Sequence, residues 1–246
     1  MTWNIWSGEN WPQVAQFIQD HRIDIVGLQE VDNNLERTGR IDVARKIADT
    51  LSYHFAYSAS IENQTTGKTA GGEFGNAVIS RFPITASNRH FLSSPTEWQG
   101  TSETEPRTLL ETTIEVAGKK LRFLTLHLGY AREFATTPIK IRQITKVTKI
   151  LADKKDTPTI LLGDFNSLPQ SQEIQEIKKY LRDVDDKNLL RTWTTHDFSY
   201  KDWQVPAGLN FKIDYIFVSQ DIQYGSPTSA ETTISDHVPV IVELQL

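Results

Sequence analysis

Short apolar runs of strand length stop, again and again, at an acid, an amide or a histidine in this sequence. Ile23 to Leu28 runs into Gln29 and Glu30, Lys120 to Leu126 ends on His127, and Thr159 to Leu162 leads into Gly163-Asp164-Phe165-Asn166. Asp214 opens the run to Val218, and Ser235-Asp236-His237 precedes Val238 to Leu244. Runs of this length bounded by polar residues read as buried strands. A sheet built from them delivers its polar groups to a rim, so the pattern constrains the fold and the site together.

Amphipathic segments separate these runs. Trp11, Val14, Ala15 and Ile18 fall at helical spacing behind Asn10, read as an N-cap, with Pro12 suited to the first turn. Ala44, Ile47, Ala48 and Leu51 repeat the spacing, as do Ile144, Val147 and Leu151 after Thr137-Pro138, and then Ile174, Ile177 and Leu181. Leu109 to Val116 and Lys120 to His127 read as a hairpin around Ala117-Gly118. The polar stretch Ala56 to Gly72 reads as an exposed loop ahead of a strand at Asn76 to Ser80. Strands mixed with a few helices, one hairpin and no fixed-period repeat predict a mixed-sheet α/β sandwich. No linker divides the 246 residues, which predicts one domain over 1–246.

With 38% hydrophobic and 23% charged residues, the chain falls outside the disordered and low-complexity classes. The absence of cysteine excludes disulfides and thiolate metal sites. No apolar stretch approaches the ~18 residues of a membrane span, and Met1-Thr2-Trp3-Asn4 is not a signal sequence. The expected location is the cytoplasm, with secretion open if a leader precedes Met1. A net charge of −5 gives no global attraction to a polyanion, although nucleic acid remains open through a local basic patch.

Singly, a strand-end Asp is most often a turn residue and a strand-end His a satisfied polar group. Their convergence is what suggests chemistry. Oxygen ligands from Glu30 and Asn4 suit Mg²⁺ or Mn²⁺, and zinc is disfavoured without a His-Glu-x-x-His pattern or cysteines. His127 and His237 sit beside acids, as general acid/base or phosphate-binding groups do, and Asp214 is the candidate partner of His237. Gly67-Lys68-Thr69 is not a phosphate loop, because Glu62 stands where a glycine is required. Asn76 reads equally as a rim residue or a strand-start residue, and Glu73 as a solvated loop acid. Trp98, Trp193 and Trp203 could stack on a substrate but more commonly pack over a core. Arg132, Lys140 and Arg142, around a helix start, read as solvated surface.

Trp3-Asn4-Ile5, Leu28-Gln29-Glu30-Val31, Glu105-Pro106-Arg107, Thr125-Leu126-His127-Leu128, Gly163-Asp164-Phe165-Asn166, Ile213-Asp214-Tyr215 and Ser235-Asp236-His237-Val238-Pro239 together resemble the endonuclease/exonuclease/phosphatase superfamily. The resemblance spans nearly the whole chain. It implies a four-layer α/β/β/α sandwich of two packed mixed sheets with outer helices. It also implies a hydrolase of phosphate esters, a phosphoesterase or alternatively a nuclease, with Glu30 as metal ligand and Asn4 nearby. Asp164 would orient or deprotonate the attacking water, Asn166 would hold a phosphate oxygen, and His127 and Arg107 would contact the scissile phosphate. His237 would pair with Asp214, and Asp236 would assist near the metal or nucleophile. Trp6 stands where the abasic-site endonucleases carry an acid, and His127 where they often carry tyrosine, which moves the resemblance toward deoxyribonuclease-I-like, sphingomyelinase-like and small bacterial hydrolases. The expected partner is a phosphate-ester substrate and the expected state a monomer. A non-catalytic binding module of this fold is the competing class, and it would have no need for so many catalytic-type residues.

Overall fold

The computed structural model describes residues 1–62, 69–154 and 157–245. In chain order its elements are β1 (Thr2–Ser7), α1 (Trp11–Asp20), β2 (Ile25–Asn33), α2 (Val43–Leu51), β3 (His54–Glu62), β4 (Glu73–Ser80), β5 (Ile84–Phe91), β6 (Thr108–Val116), β7 (Lys119–His127) and α3 (Pro138–Asp153). There follow β8 (Thr159–Asp164), α4 (Gln172–Lys178), β9 (Arg182–Asp183), β10 (Phe198–Tyr200), β11 (Trp203–Val205), β12 (Asp214–Val218), β13 (Gln223–Tyr224), β14 (Thr228–Ser229), β15 (Val240–Ile241) and β16 (Leu244–Gln245). None of the described helices is long and apolar enough to cross a membrane.

Two six-stranded mixed sheets form, ordered β14-β15-β1-β2-β4-β3 and β5-β6-β7-β8-β12-β9. Each has one parallel pair, β1 with β2 and β7 with β8, flanked by antiparallel neighbours. A helix joins each pair, α1 in the first sheet and α3 in the second, as a parallel crossover requires.

Strand alternation sorts side chains into layers. In β7, Leu124 and Leu126 pack with Ile144 and Val147 of α3, while Leu121 and Phe123 face the other sheet. In β8, Leu161 joins the helix side, and Ile160 and Leu162 join the inter-sheet core with Val78, Ile216 and Val218. Trp3, Ile5, Val26 and Leu28 turn outward onto Val14 and Ile18 of α1. The layers are therefore helix, sheet, sheet, helix. Each fully buried large apolar side chain contributes roughly 1.5–3 kcal/mol relative to exposure. Gly27 marks the closest approach of the sheets, since a Cβ there would lie 2.3 Å from Leu162 Cδ1 and 2.8 Å from Thr125 Oγ1.

Local expectations divide. The hairpin turns at Ala117 and Gly118, with φ of 50° and 79°. Thr137 caps α3 through Lys140 N. Asn10 occupies the N-cap position of α1, but its amide donates to Ile234 O at 2.8 Å rather than capping. Residues 56–62, expected to be loop, belong to β3, where the polar Ser60 is buried because its hydroxyl meets Thr108 Oγ1 at 2.9 Å. Gly67 and Lys68 lie outside the described residues. The run Val238 to Leu244 is not one strand: Pro239 has no N–H for a ladder, and the chain pairs first with β1 and β14, then with β13.

Candidate active site at the strand rim

The carboxyl ends of both parallel pairs open on one side of the sandwich, the position where mixed and parallel sheets bind ligands. His127 ends β7 beside Asp164 at the end of β8, and Asp214 opens the antiparallel β12 opposite Asp164. On the facing sheet, the register of β2 slips between Leu28 and Val31 against β4, and Glu30 adopts a φ of +57°. That bulge takes Glu30 out of the strand alternation and aims it into the cleft. The cleft has a volume of about 710 Å³, and Glu30, Arg107, His127, Asp164, Asn166, Asp236 and His237 line it.

Asn4 joins the two sheets, its Nδ2 donating to Glu30 Oε1 at 3.0 Å and to Asp164 Oδ2 at 3.1 Å. Its Oδ1 accepts from the Trp6 N–H at 3.1 Å. Asp164 Oδ1 accepts from the Asn166 N–H at 2.8 Å, and Asn166 holds a φ of +46°. The loop before β15 is tied down by Ser235 Oγ, which donates to Asn4 O at 2.7 Å, and by Trp3 Nε1, which donates to His237 O at 2.9 Å.

The surroundings push the pKa values of the two histidines in opposite directions. His237 Nδ1 lies 2.9 Å from Asp214 Oδ2, and its Nε2 faces Asp164 Oδ2 at 3.7 Å. Burial alone would lower its pKa, but Asp214, Asp236 and Asp164 outweigh burial and hold it well above the usual imidazole range. His127 is pushed well below that range by burial, then by the Arg107 and His237 charges. His127 Nδ1 meets Arg107 Nη1 at 3.1 Å, and its Nε2 meets Asn166 Nδ2 at 3.0 Å. Arginine only donates, and the Asn166 amide is fixed nitrogen-inward because the same Nδ2 donates to Leu128 O at 3.1 Å. A neutral imidazole has one acceptor nitrogen, here Nδ1 facing Arg107, while its Nε2 lies 3.3 Å from Asp164 Oδ2, which can accept its proton; the Asn166 Nδ2 hydrogen on that side then finds no acceptor on the ring. Arg107 Nε is also buried without a protein partner among the described residues. Surplus buried donors of this kind call for an anion.

The carboxylates show the complementary imbalance. Burial, then Asp236, pushes Glu30 up to about 7, and burial also raises Asp164. Asp236 accepts from Trp193 Nε1 at 3.1 Å and Ser235 Oγ at 3.3 Å. Hard oxygen donors in mutual repulsion fit a divalent cation, which would return Glu30 to its ionised form. Asp164, Asp214 and His237 also offer ligand atoms within 4.8 Å of one another, but one ring nitrogen there is already spent on Asp214.

All nine residues singled out in the sequence thus line the cleft or bond to a residue that does. Others do not. Asn76 is buried between sheets and donates to Thr108 O at 2.9 Å, so it is structural. Glu73 lies in β4, not a loop, and accepts from Asn33 Nδ2 at 2.8 Å. Trp203 packs in an aromatic cluster with Phe134 and Phe211; Trp193 belongs to that cluster and also lines the cleft, as does Trp98 with Trp6, Phe74, Tyr130 and Tyr200. Arg132 is exposed and paired with Asp202, and Arg142 is exposed. Lys140, expected at the surface, is fully buried instead, because three loop carbonyls and Glu173 surround its amine. Gln29 was not singled out; it bridges the sheets through Thr125 Oγ1 at 2.8 Å.

Comparison with known proteins agrees with this fold. The model of the Endonuclease/Exonuclease/phosphatase family matches residues 1–237. Protein cwh43 of Schizosaccharomyces pombe (strain 972 / ATCC 24843) is 24% identical over 159 residues, 65% of this chain, which spans only 14% of that protein. An endonuclease/exonuclease/phosphatase from Bacteroides vulgatus superposes with a TM-score of 0.73 at 20% identity, covering 100% of this chain and 97% of its own. The mannosyl-6-phosphatase Bt3783 of Bacteroides thetaiotaomicron VPI-5482 gives 0.71 at 22% identity, covering 100% and 98%. D. rerio TDP2, complexed with single strand DNA product, gives 0.69 at 16% identity, covering 100% and 97%. These structural likenesses concern the fold.

Proposed function

Because this chain belongs to the endonuclease/exonuclease/phosphatase family, whose members hydrolyse phosphoester bonds, we propose that it is a divalent-metal-dependent phosphoesterase acting by attack of an activated water at phosphorus. One observation carries the reading: the unpartnered Arg107 Nε and an Asn166 amide hydrogen that the His127 ring cannot accept lie beside a carboxylate, Asp164, placed to handle a water. A tetrahedral phosphate supplies the missing acceptors.

In this mechanism Asp164 orients the water and takes its proton, helped by a pKa that burial raises above the usual carboxylate range. Asn166 and Arg107 hold non-bridging oxygens, and neutral His127 stays between them as a fixed contact. His237, kept charged by Asp214, supplies a cation facing Asp164 across 3.7 Å. Glu30 with Asn4 would hold Mg²⁺ or Mn²⁺, and the bound ion would neutralise oxygen charge as the P–O bond breaks. Preorganised donors at the developing charge are the largest single contribution available to such a site.

The charge of the cleft favours a compact ester over a polynucleotide. Among the described residues that line it, two arginines, Arg37 and Arg107, stand against the carboxylates Glu30, Glu105, Asp164 and Asp236, and these form no basic track beyond the phosphate subsite. Trp6, 53% exposed at the lip, and Tyr200 offer aromatic faces to the rest of the substrate. The test is a panel with Mg²⁺, Mn²⁺ and chelator: bis-p-nitrophenyl phosphate, sugar phosphates, inositol phosphates, sphingomyelin, RNA and plasmid DNA. Metal-dependent turnover of a small ester supports the proposal, faster cleavage of DNA or RNA replaces it with a nuclease, and no turnover of any substrate overturns it.

A further inference from the structure

Lys140 is 1% exposed on the first turns of α3, and no step of the proposed chemistry uses it. A buried ammonium must be fully bonded to be tolerated. This one donates to Phe134 O at 3.3 Å, Ala135 O at 3.2 Å and Asn166 O at 2.6 Å, and pairs with Glu173 Oε1 at 3.3 Å. Glu173, fully enclosed on α4, accepts from Thr136 Oγ1 at 2.6 Å.

The shortest of these bonds falls on a residue with left-handed backbone, a conformation that Phe134 shares at φ +58°. Asn166 sits at φ +46°, a left-handed conformation that asparagine adopts more readily than other residues with a side chain. Its N–H is held by Asp164 and its C=O by Lys140, so the backbone that carries its amide is gripped on both sides. Gln143 lies three residues on, on the same face of α3. Its Oε1 accepts from Gly129 N–H at 2.9 Å, and its Nε2 donates to Ser93 Oγ at 3.3 Å. Ser93 Oγ in turn accepts from the Arg107 N–H at 2.9 Å. One helical face therefore touches the backbone at Asn166 and Gly129 and, through Ser93, at Arg107.

We propose that Lys140, seconded by Gln143, is a positioning residue that holds the two phosphate-facing donors Asn166 and Arg107, with His127 between them, in mutual register from beneath. The inference rests on the phosphoesterase reading of the rim. Lys140 touches no substrate; it acts through the Asn166 carbonyl.

The experiment separates positioning from stability. Lys140→Met strands the buried Glu173 charge, so it lowers both Tm and kcat. In Lys140→Met/Glu173→Leu the ion pair is replaced by apolar volume, an exchange that is often neutral or stabilising. The expected result is a Tm returned to the wild-type value while kcat on bis-p-nitrophenyl phosphate stays depressed by about tenfold or more at little-changed KM, as misplacement of a transition-state donor requires. Recovery of both Tm and kcat would overturn the proposal. The side-chain amide resonance of Asn166 is the second readout: a shift in the double variant supports the proposal, and an unmoved resonance overturns it. If the wild type turns over no phosphoester, the phosphoesterase reading fails while this resonance still decides the positioning claim. If the double variant does not fold, Gln143→Met, which leaves every charge in place, gives the same test: reduced kcat at preserved KM supports, unchanged kcat overturns.

Discussion

Replacing Asp214 with asparagine isolates one charge in the site. Asp214 is 1% exposed, its Oδ2 lies 2.9 Å from His237 Nδ1, and its Oδ1 has no protein partner among the described residues. Asparagine has the same shape, keeps the backbone bond to Thr192 Oγ1, and can turn its oxygen to the ring. What is lost is the difference between a hydrogen bond to a charged group and a neutral one, about 1.5 kcal/mol, or about tenfold in kcat/KM. The sign for pH follows from His237. Its pKa is raised in the folded protein, so the stabilisation of its charged form is fully present below the free-imidazole value of about 6.5 and is lost as pH rises through the folded value. Asp214→Asn lowers the folded value, although Asp236 and Asp164 still raise it. The alkaline limb of kcat/KM therefore moves to lower pH and the maximum falls. A pH–rate profile and NMR titration of His237 in both proteins measure this. An alkaline limb that stays in place, with an unchanged His237 titration, would show that Asp214 merely starts its strand.

Three further outcomes are expected. Asn166→Ala lowers kcat by about a hundredfold through loss of a donor, and costs about 1 kcal/mol in stability because alanine tolerates φ +46° poorly; steady-state kinetics and urea unfolding measure both, and near-wild-type kcat removes Asn166 from the chemistry. Glu30→Gln weakens Mg²⁺ or Mn²⁺ binding in calorimetric titration, and unchanged affinity would point to the Asp164, Asp214 and His237 group instead. Gly163→Ala destabilises by on the order of 3 kcal/mol or more, since a Cβ at φ +143° would stand 2.0 Å from Leu126 O; an unmoved urea midpoint refutes the packing argument.

How far the sequence revealed all this depended on whether a residue's environment is local. Glu30, His127 and Asp164 were readable because the apolar run before each one announces a strand and its end. Arg107 lies between no such landmarks and was found only through the family motif. β5 was not read at all: it is an edge strand with most of its side chains exposed, so its hydrophobic pattern is nearly silent. Lys140 misled because a lysine at a helix start is ordinarily solvated, and the carbonyls that bury this one come from residues 134, 135 and 166. The stretch holding Ser60 was read as loop and Asn76 was left between rim and strand start for the same reason: each is satisfied by Thr108 across the sheet interface.

The bridge made by Asn4 has a consequence beyond chemistry. Its sheet supplies Glu30, and the opposite sheet supplies His127, Asp164 and Asp214, so neither half of the sandwich holds a usable fragment of the machinery. Bringing Glu30 to Asp164 therefore requires both sheets to have docked. On the proposed phosphoesterase reading, a chain in which the two sheets have not docked would hold these groups apart and leave the phosphoesters around it untouched.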